Sequence, residues 1–209
     1  LTTQGGKLNT ATSNKGLEWP YDVAVDTTNN CLYVADRAAN RVLIYTLNST
    51  TKQLVDRLPD AALGQADFTS KVTGVSASRM NQPAALAVDT ANNRLFIADV
   101  GNNRILVFTS ACASASGASA ASVLGQADFT SSGFGTTAAT LNHPEGGLAF
   151  GNSKLYVGDR GNDRVLILEV TSITNGEDAA NVLCAADLTT VGSGAATAST
   201  CNPSNLEVF

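Results

Sequence analysis

The feature that most constrains this chain is an internal repeat of roughly sixty residues. One line runs Pro20-Tyr-Asp-Val-Ala-Val-Asp26 and on through Cys31-Leu-Tyr-Val-Ala-Asp36. A second runs Pro83-Ala-Ala-Leu-Ala-Val-Asp89 and Arg94-Leu-Phe-Ile-Ala-Asp99, and a third Pro144-Glu-Gly-Gly-Leu-Ala-Phe-Gly151 and Lys154-Leu-Tyr-Val-Gly-Asp159. Each continues into an Arg-led apolar run: Arg41-Val-Leu-Ile-Tyr45, Arg104-Ile-Leu-Val-Phe108 and Arg164-Val-Leu-Ile-Leu168. A further element recurs as Ala62-Leu-Gly-Gln-Ala-Asp67, Val123-Leu-Gly-Gln-Ala-Asp128 and Val182-Leu-Cys-Ala-Ala-Asp187. The three arginines are 63 and 60 residues apart and the three closing aspartates 61 and 59, so independent anchors share one period. A fourth copy opens at Pro203-Ser-Asn-Leu-Glu-Val-Phe209.

Each repeat holds four short apolar segments, in the second copy Leu86–Val88, Leu95–Ala98, Ile105–Phe108 and Val123–Leu124. They are rich in β-branched and aliphatic residues and are separated by turn formers such as Asn92-Asn93 and Gly101-Asn102-Asn103, which predicts an antiparallel four-stranded meander. The middle two segments are apolar at nearly every position, so those strands are covered on both faces. Repeated four-stranded sheets covered on both faces are propeller blades. The reading is an all-β chain with blades over about 20–67, 83–128 and 144–187, and with 203–209 as an extra inner strand opening a fourth repeat.

The string Pro-x-x-Leu-Ala-Val-Asp, then Asn-Arg-Leu-Phe-Ile-Ala-Asp-x-Gly-Asn-Asn-Arg-Ile-Leu-Val-Phe, resembles an NHL repeat. The resemblance covers Pro20–Tyr45, Pro83–Phe108 and Pro144–Leu168 and the Pro203 segment. The second copy is nearly ideal. The first has Ala38 for the loop Gly, and the third has Gly151 where the others end their first strand in Asp. The resemblance implies a toroidal propeller, usually of about six blades, acting as a binding platform for protein or RNA. A related group includes a metal-dependent lyase acting on peptide ends.

Composition narrows the function. The net charge is −5, with 13 basic and 18 acidic residues and no run of Lys or Arg, which argues against nucleic acid and against a polybasic membrane contact. No apolar stretch reaches the length of a membrane helix. The chain opens on Leu1 rather than Met, which reads as a processed product or a fragment. Cys31, Cys112, Cys184 and Cys201 have no metal-ligand spacing; they permit disulfides without requiring them, and the Thr-, Ser-, Ala- and Asn-rich composition suits a secreted or periplasmic protein.

Enzymatic motifs are sparse. His143 is the only histidine, so a histidine-held metal or a Ser–His–Asp triad has little to draw on, and neither G-x-S-x-G nor a phosphate loop occurs. The chain therefore reads as a non-enzymatic binding module for a protein or small-molecule ligand, with no metal and no cofactor. A divergent hydrolase or lyase on the same fold is the alternative.

Strand alternation sorts the loops onto two faces. One face carries Asp36 and Arg41, Asp99 and Arg104, Asp159 and Arg164, each pair bracketing a hairpin loop. A pair present in every blade reads as architecture, since Arg suits bidentate carboxylate contacts. Positions that differ between repeats are the candidates for binding: Trp19, Tyr21 and Asp22, then Arg37, then Gln82, then His143 and Glu145, then Arg160. They form an axial pocket or, on the plainer alternative, solvated loop residues with Trp19 as a packed plug. The low-complexity stretch Ser110–Ser122 reads as a surface insertion on the outer rim.

Three blades do not close a ring, because propellers use about four to eight. The open arc is expected to expose two terminal faces, lined by residues such as Val42, Ile44, Val165 and Ile167. A homodimer of two arcs would complete a six-bladed ring with two-fold symmetry; the competing reading is that the chain is a piece of a longer propeller, which would also be expected to self-associate.

Overall fold

A computed structural model describes residues 16–191. It contains three antiparallel four-stranded sheets, each a simple meander. The first is β1 (Pro20–Asp26), β2 (Cys31–Asp36), β3 (Arg41–Thr46) and β4 (Ala61–Leu63). The second is β5 (Pro83–Asp89), β6 (Arg94–Asp99), β7 (Arg104–Thr109) and β8 (Ser122–Leu124). The third is β9 (Leu148–Gly151), β10 (Lys154–Asp159), β11 (Arg164–Glu169) and β12 (Asn181–Leu183). The extra strand expected over 203–209 lies outside the described residues.

The first hairpin of each sheet shows how local chemistry sets the turn. In the first two sheets a four-residue loop is organised by the closing Asp: Asp26 accepts from the amides of Thr28 and Asn29, and Asp89 from that of Asn92. Asn30 and Asn93 then take left-handed φ of 63° and 50°. The third sheet has no Asp there and needs none. Asn152 and Ser153, at φ 51° and 58°, form a two-residue loop between the paired Gly151 and Lys154, the geometry that suits strand twist. Its first strand also starts late, at Leu148 rather than Pro144. Gly146 and Gly147 form a bulge against β10, and a Cβ on Gly158 would lie 2.6 Å from the Gly146 carbonyl carbon.

Packing follows the pleat. In the first sheet, Ala24, Tyr33 and Ile44 stand in register on one face, with Val42 alongside, and this face packs on the second sheet. The second sheet answers with Leu86, Ile97 and Leu106, and with Leu95 and Phe108. Its opposite face, with Phe96, Val107 and Ile105, packs on Leu155, Val157, Leu166 and Leu168 of the third sheet. Every interface therefore joins the same two repeat faces head to tail. The second blade is covered on both sides, and every residue of β5 is buried except the half-buried Val88.

The end faces differ from expectation on one side. Val42 and Ile44 are buried, because their strand face is the one turned toward the second blade. Val23 and Val25, on its other face, are exposed instead. At the far end the expectation matches the geometry: Val165 and Ile167 are only partly covered, as are Tyr156 and Leu183 beside them.

The connections between third and fourth strands are also more than rim loops. Ser110–Ser122 reaches back to the first blade: the Gly117 amide donates to the Ala62 carbonyl, and Ser116 Oγ accepts from the Ala62 amide. Ala111 and Ala120 are buried, and Cys112 forms a disulfide with Cys31 across 81 residues. Small side chains let this backbone lie flat on the neighbouring sheet, which is why the low-complexity composition does not mark a free insertion. The next blade repeats the device, with the Gly176 amide bonded to the Val123 carbonyl and Asn175 Oδ1 accepting from the Val123 amide. Cys184 is disulfide-bonded as well.

Candidate axial site

Two turns of each blade meet on one face of the arc. The residue before each repeat Pro is left-handed: Trp19 at φ 67°, Gln82 at 56° and His143 at 47°. After each second strand comes one 3-10 turn, Arg37–Ala39, Val100–Asn102 or Arg160–Asn162, ended by Asn40, Asn103 or Asp163 in the left-handed region. The two turns are tied by backbone bonds: Arg37 N–H to Trp19 carbonyl, Gly101 to Asn81 and Gly161 to Asn142. Asn40 and Asn103 then reach forward, each Oδ1 accepting from the next blade's amide, at Gln82 (2.9 Å) and His143 (2.8 Å).

The repeated ion pairs lie beneath this surface. Arg41–Asp36 and Arg104–Asp99 meet at 2.7 Å and Arg164–Asp159 at 2.8 Å, with all six side chains fully buried. The second Asp oxygen accepts a backbone amide: Glu18 at 2.5 Å, Asn81 at 2.6 Å and Asn142 at 2.7 Å. The guanidinium of Arg104 also donates to the carbonyls of Phe129, Ser76 and Arg79, pinning the connections on either side of its blade. Burial pushes the Asp36 and Asp99 carboxyls up, against the pull of their arginines.

Above the pairs, side chains of the first and third blades converge on Glu145, and Gln82 of the second joins them through Arg37. Tyr21 Oη donates to its Oε1 at 3.0 Å, Arg37 Nη1 donates to the same oxygen, and Arg160 Nη1 donates to Oε2 at 3.0 Å. The Arg37 hydrogen bond, ahead of those from Tyr21 and the nearby positive charges, holds the Glu145 carboxyl below the usual carboxylate range despite partial desolvation. Arg37 itself lies over the rings of Tyr21 (4.6 Å) and Trp19 (5.2 Å) and touches Gln82 Oε1 at 3.4 Å. Trp19 is not a packed plug: it is 63% exposed.

Six of the eight candidates, Trp19, Tyr21, Arg37, Gln82, Glu145 and Arg160, thus share one network. The other two do not join it. Asp22 is spent between blades, its Oδ2 accepting the Leu86 amide at 2.8 Å. Among the described residues the His143 ring hydrogen-bonds to its neighbour Asn142, at 3.0 Å through Nδ1. A cavity of about 220 Å³ opens beside the network between the first two blades. It is lined by Trp19, Arg37 and Gln82 together with Asn40, Thr73 and Asn81. Those last three were not singled out in the sequence, since Asn40 looks like a loop residue of the repeat and Thr73 sits in an unpatterned connection. Among the described residues no cluster of three or more metal-ligating side chains occurs.

Meander sheets stacked head to tail around inner strands β1, β5 and β9 define blades of a β-propeller. The NHL repeat family model matches residues 80–108, the near-ideal second copy. NHL repeat-containing protein 2 of Bos taurus is 31% identical over 155 residues, covering 69% of this chain and 20% of that protein. The chain is a member of the NHL-repeat family and spans about a fifth of the length of this relative. Solved structures superpose more loosely. Kuenenia stuttgartiensis hydrazine synthase gives a TM-score of 0.49 at 11% identity over 89% of this chain and 40% of its own. The WD40 propeller domain of Doa1 gives 0.46 at 10% identity, covering 79% of this chain and 43% of its own.

Proposed function

We propose that the chain is a binding module that presents its ligand site on the axial face, at the network of Trp19, Tyr21, Arg37, Gln82, Glu145 and Arg160. The observation that carries this reading is the convergence of side chains that vary between repeats, drawn from the first and third blades onto one carboxylate and extended to Gln82 of the second through Arg37, beside a cavity. Invariant repeat positions serve the scaffold below, so the surface above is where blades differ. A fragment screen followed by amide and side-chain NMR shifts tests it. Hits should concentrate on Trp19, Arg37, Gln82 and Arg160. Hits scattered over the opposite loops, around Asn48 and Asn93, would sink the reading.

A second observation supports self-assembly into a six-bladed ring. The open face of the third blade, with Tyr156, Val165 and Ile167, is the repeat equivalent of Tyr33, Val42 and Ile44, and of Phe96, Ile105 and Val107, all buried by a following blade. What fits it is a face like the first blade's other one, where Val23 and Val25 are exposed beside the already buried Val34 and Leu43, and a second copy of this chain supplies that face. Two such contacts related by a two-fold axis close the ring. Sedimentation at micromolar concentration should give a dimer, and Val165→Asp should give a folded monomer. A monomeric unmodified chain overturns the ring.

A further inference from the structure

We infer that the cavity between the first two blades takes a neutral saccharide, a single sugar ring stacked on Trp19. The inference rests on the axial binding reading and names the ligand class for its deepest part. Three observations point there. First, one wall is the Trp19 indole, 63% exposed on a left-handed backbone at φ 67° with the Arg37 guanidinium over its ring at 5.2 Å. An aromatic plane offered to solvent suits the apolar C–H face of a sugar. Second, the remaining lining is uncharged and mostly polar: Asn40, Thr73, Asn81 and Gln82, with Ala38. Gln82 already accepts from Arg37 through Oε1, which leaves its amide group to donate to a hydroxyl oxygen. Third, the one charged wall is already neutralised: the Arg37 side chain is 10% exposed and paired with Glu145. The pair offers a ligand no net charge, and a ligand carboxylate would meet the Glu145 carboxylate, which Arg37 and Tyr21 hold below the usual range. A volume of about 220 Å³ admits one ring and excludes a folded peptide segment.

Trp19 is the only tryptophan in the chain, so its emission reports this site alone. Alongside methyl glucuronoside as a separate charged control, the 209-residue chain is titrated with the neutral methyl glycosides of glucose, galactose, mannose and N-acetylglucosamine. The expected result is a saturable change in Trp19 emission with at least one of them, at an affinity unchanged between low and high salt. Gln82→Ala and Thr73→Val should each weaken it about tenfold, the loss of one hydrogen bond, while the far-ultraviolet circular dichroism stays the same. No saturable response to any glycoside would overturn the inference. So would a response confined to glucuronate that fades with salt, since it would identify a carboxylate site. Fragments of other chemistry that still map to Trp19 and Arg37 would leave the axial reading standing while the saccharide fails.

Discussion

The second and third blades are near copies in sequence and differ in what surrounds them. Phe96 and Tyr156 occupy one repeat position, as do Ile105 and Val165. In the second blade these residues are fully buried between sheets; in the third they lie on the open end of the arc. The second and third strands form equally well in both, with the same register and the same Asp–Arg pair at the hairpin. Blade formation is thus a local property of the repeat, whereas the stabilisation from burying its forward face belongs to the neighbour. The same logic explains the first blade, where Val42 and Ile44 are covered and Val23 and Val25 are not.

The largest expected effect separates the two blades directly. Phe96→Ala should lower stability by about 4 kcal/mol, the usual scale for emptying a packed aromatic site. Tyr156→Ala should lower the stability of the monomer by less than about 1 kcal/mol, because the ring is already partly solvated. Chemical denaturation of both variants at low protein concentration measures the gap. If the gap closes as concentration rises, the third blade's face has found its cover; equal losses at every concentration would contradict the contrast between covered and open blades.

Next in size is the ion pair that both blades share. Arg104→Ala leaves Asp99 buried without its guanidinium and should destabilise by about 3 kcal/mol. The sign of its pH dependence follows from the Asp99 carboxyl, which burial already raises. Above its folded-state pKa such a group costs stability, and the cost is relieved on protonation. The deficit of Arg104→Ala should therefore shrink as pH falls, and a deficit constant from neutral to acid pH would show that Asp99 finds another counter-charge. Arg164→Ala should destabilise by a similar amount at neutral pH, since its pair is as deeply buried.

The smallest effect concerns the turns after the fourth strands. Asp67 and Asp128 are exposed and accept from Thr69 and Ser70, and from Thr130 and Ser131. Those bonds lower both carboxyls from 3.8 to about 2. A depressed carboxyl stabilises above its unfolded pKa, and that contribution disappears as pH falls through the folded one. Melting temperature should drop modestly between about pH 4 and 2. Asp67→Asn and Asp128→Asn should flatten that drop, and an unchanged slope would mean the turns carry no linkage.

Much of this was legible in the residues. The anchors at Arg41, Arg104 and Arg164 and the aspartates that face them set the period, and the four-stranded meander followed from apolar runs broken by Asn and Gly. The choice of repeat-variable positions also located most of the axial network. Other parts were not legible. Asp22 looked like a ligand group but satisfies the Leu86 amide of the next blade, a partner 64 residues away. His143 stood out by being unique, and its ring is turned to its own neighbour. Ser110–Ser122 looked like filler, and its role shows only when Ala62 and Cys31 of another blade come beside it.

Sequence alone determined the strands, the turns and the buried Asp–Arg pairs, because each depends on residues within one repeat and recurs three times. Tertiary structure decided which sheet face is covered, which Cys pairs with Cys31, and that Tyr21 and Arg37 of one blade meet Glu145 two blades away. Those outcomes depend on how successive sheets rotate about a common axis. That rotation is the sum of many side-chain contacts between faces that are alike in every repeat, so no local pattern in the chain records it.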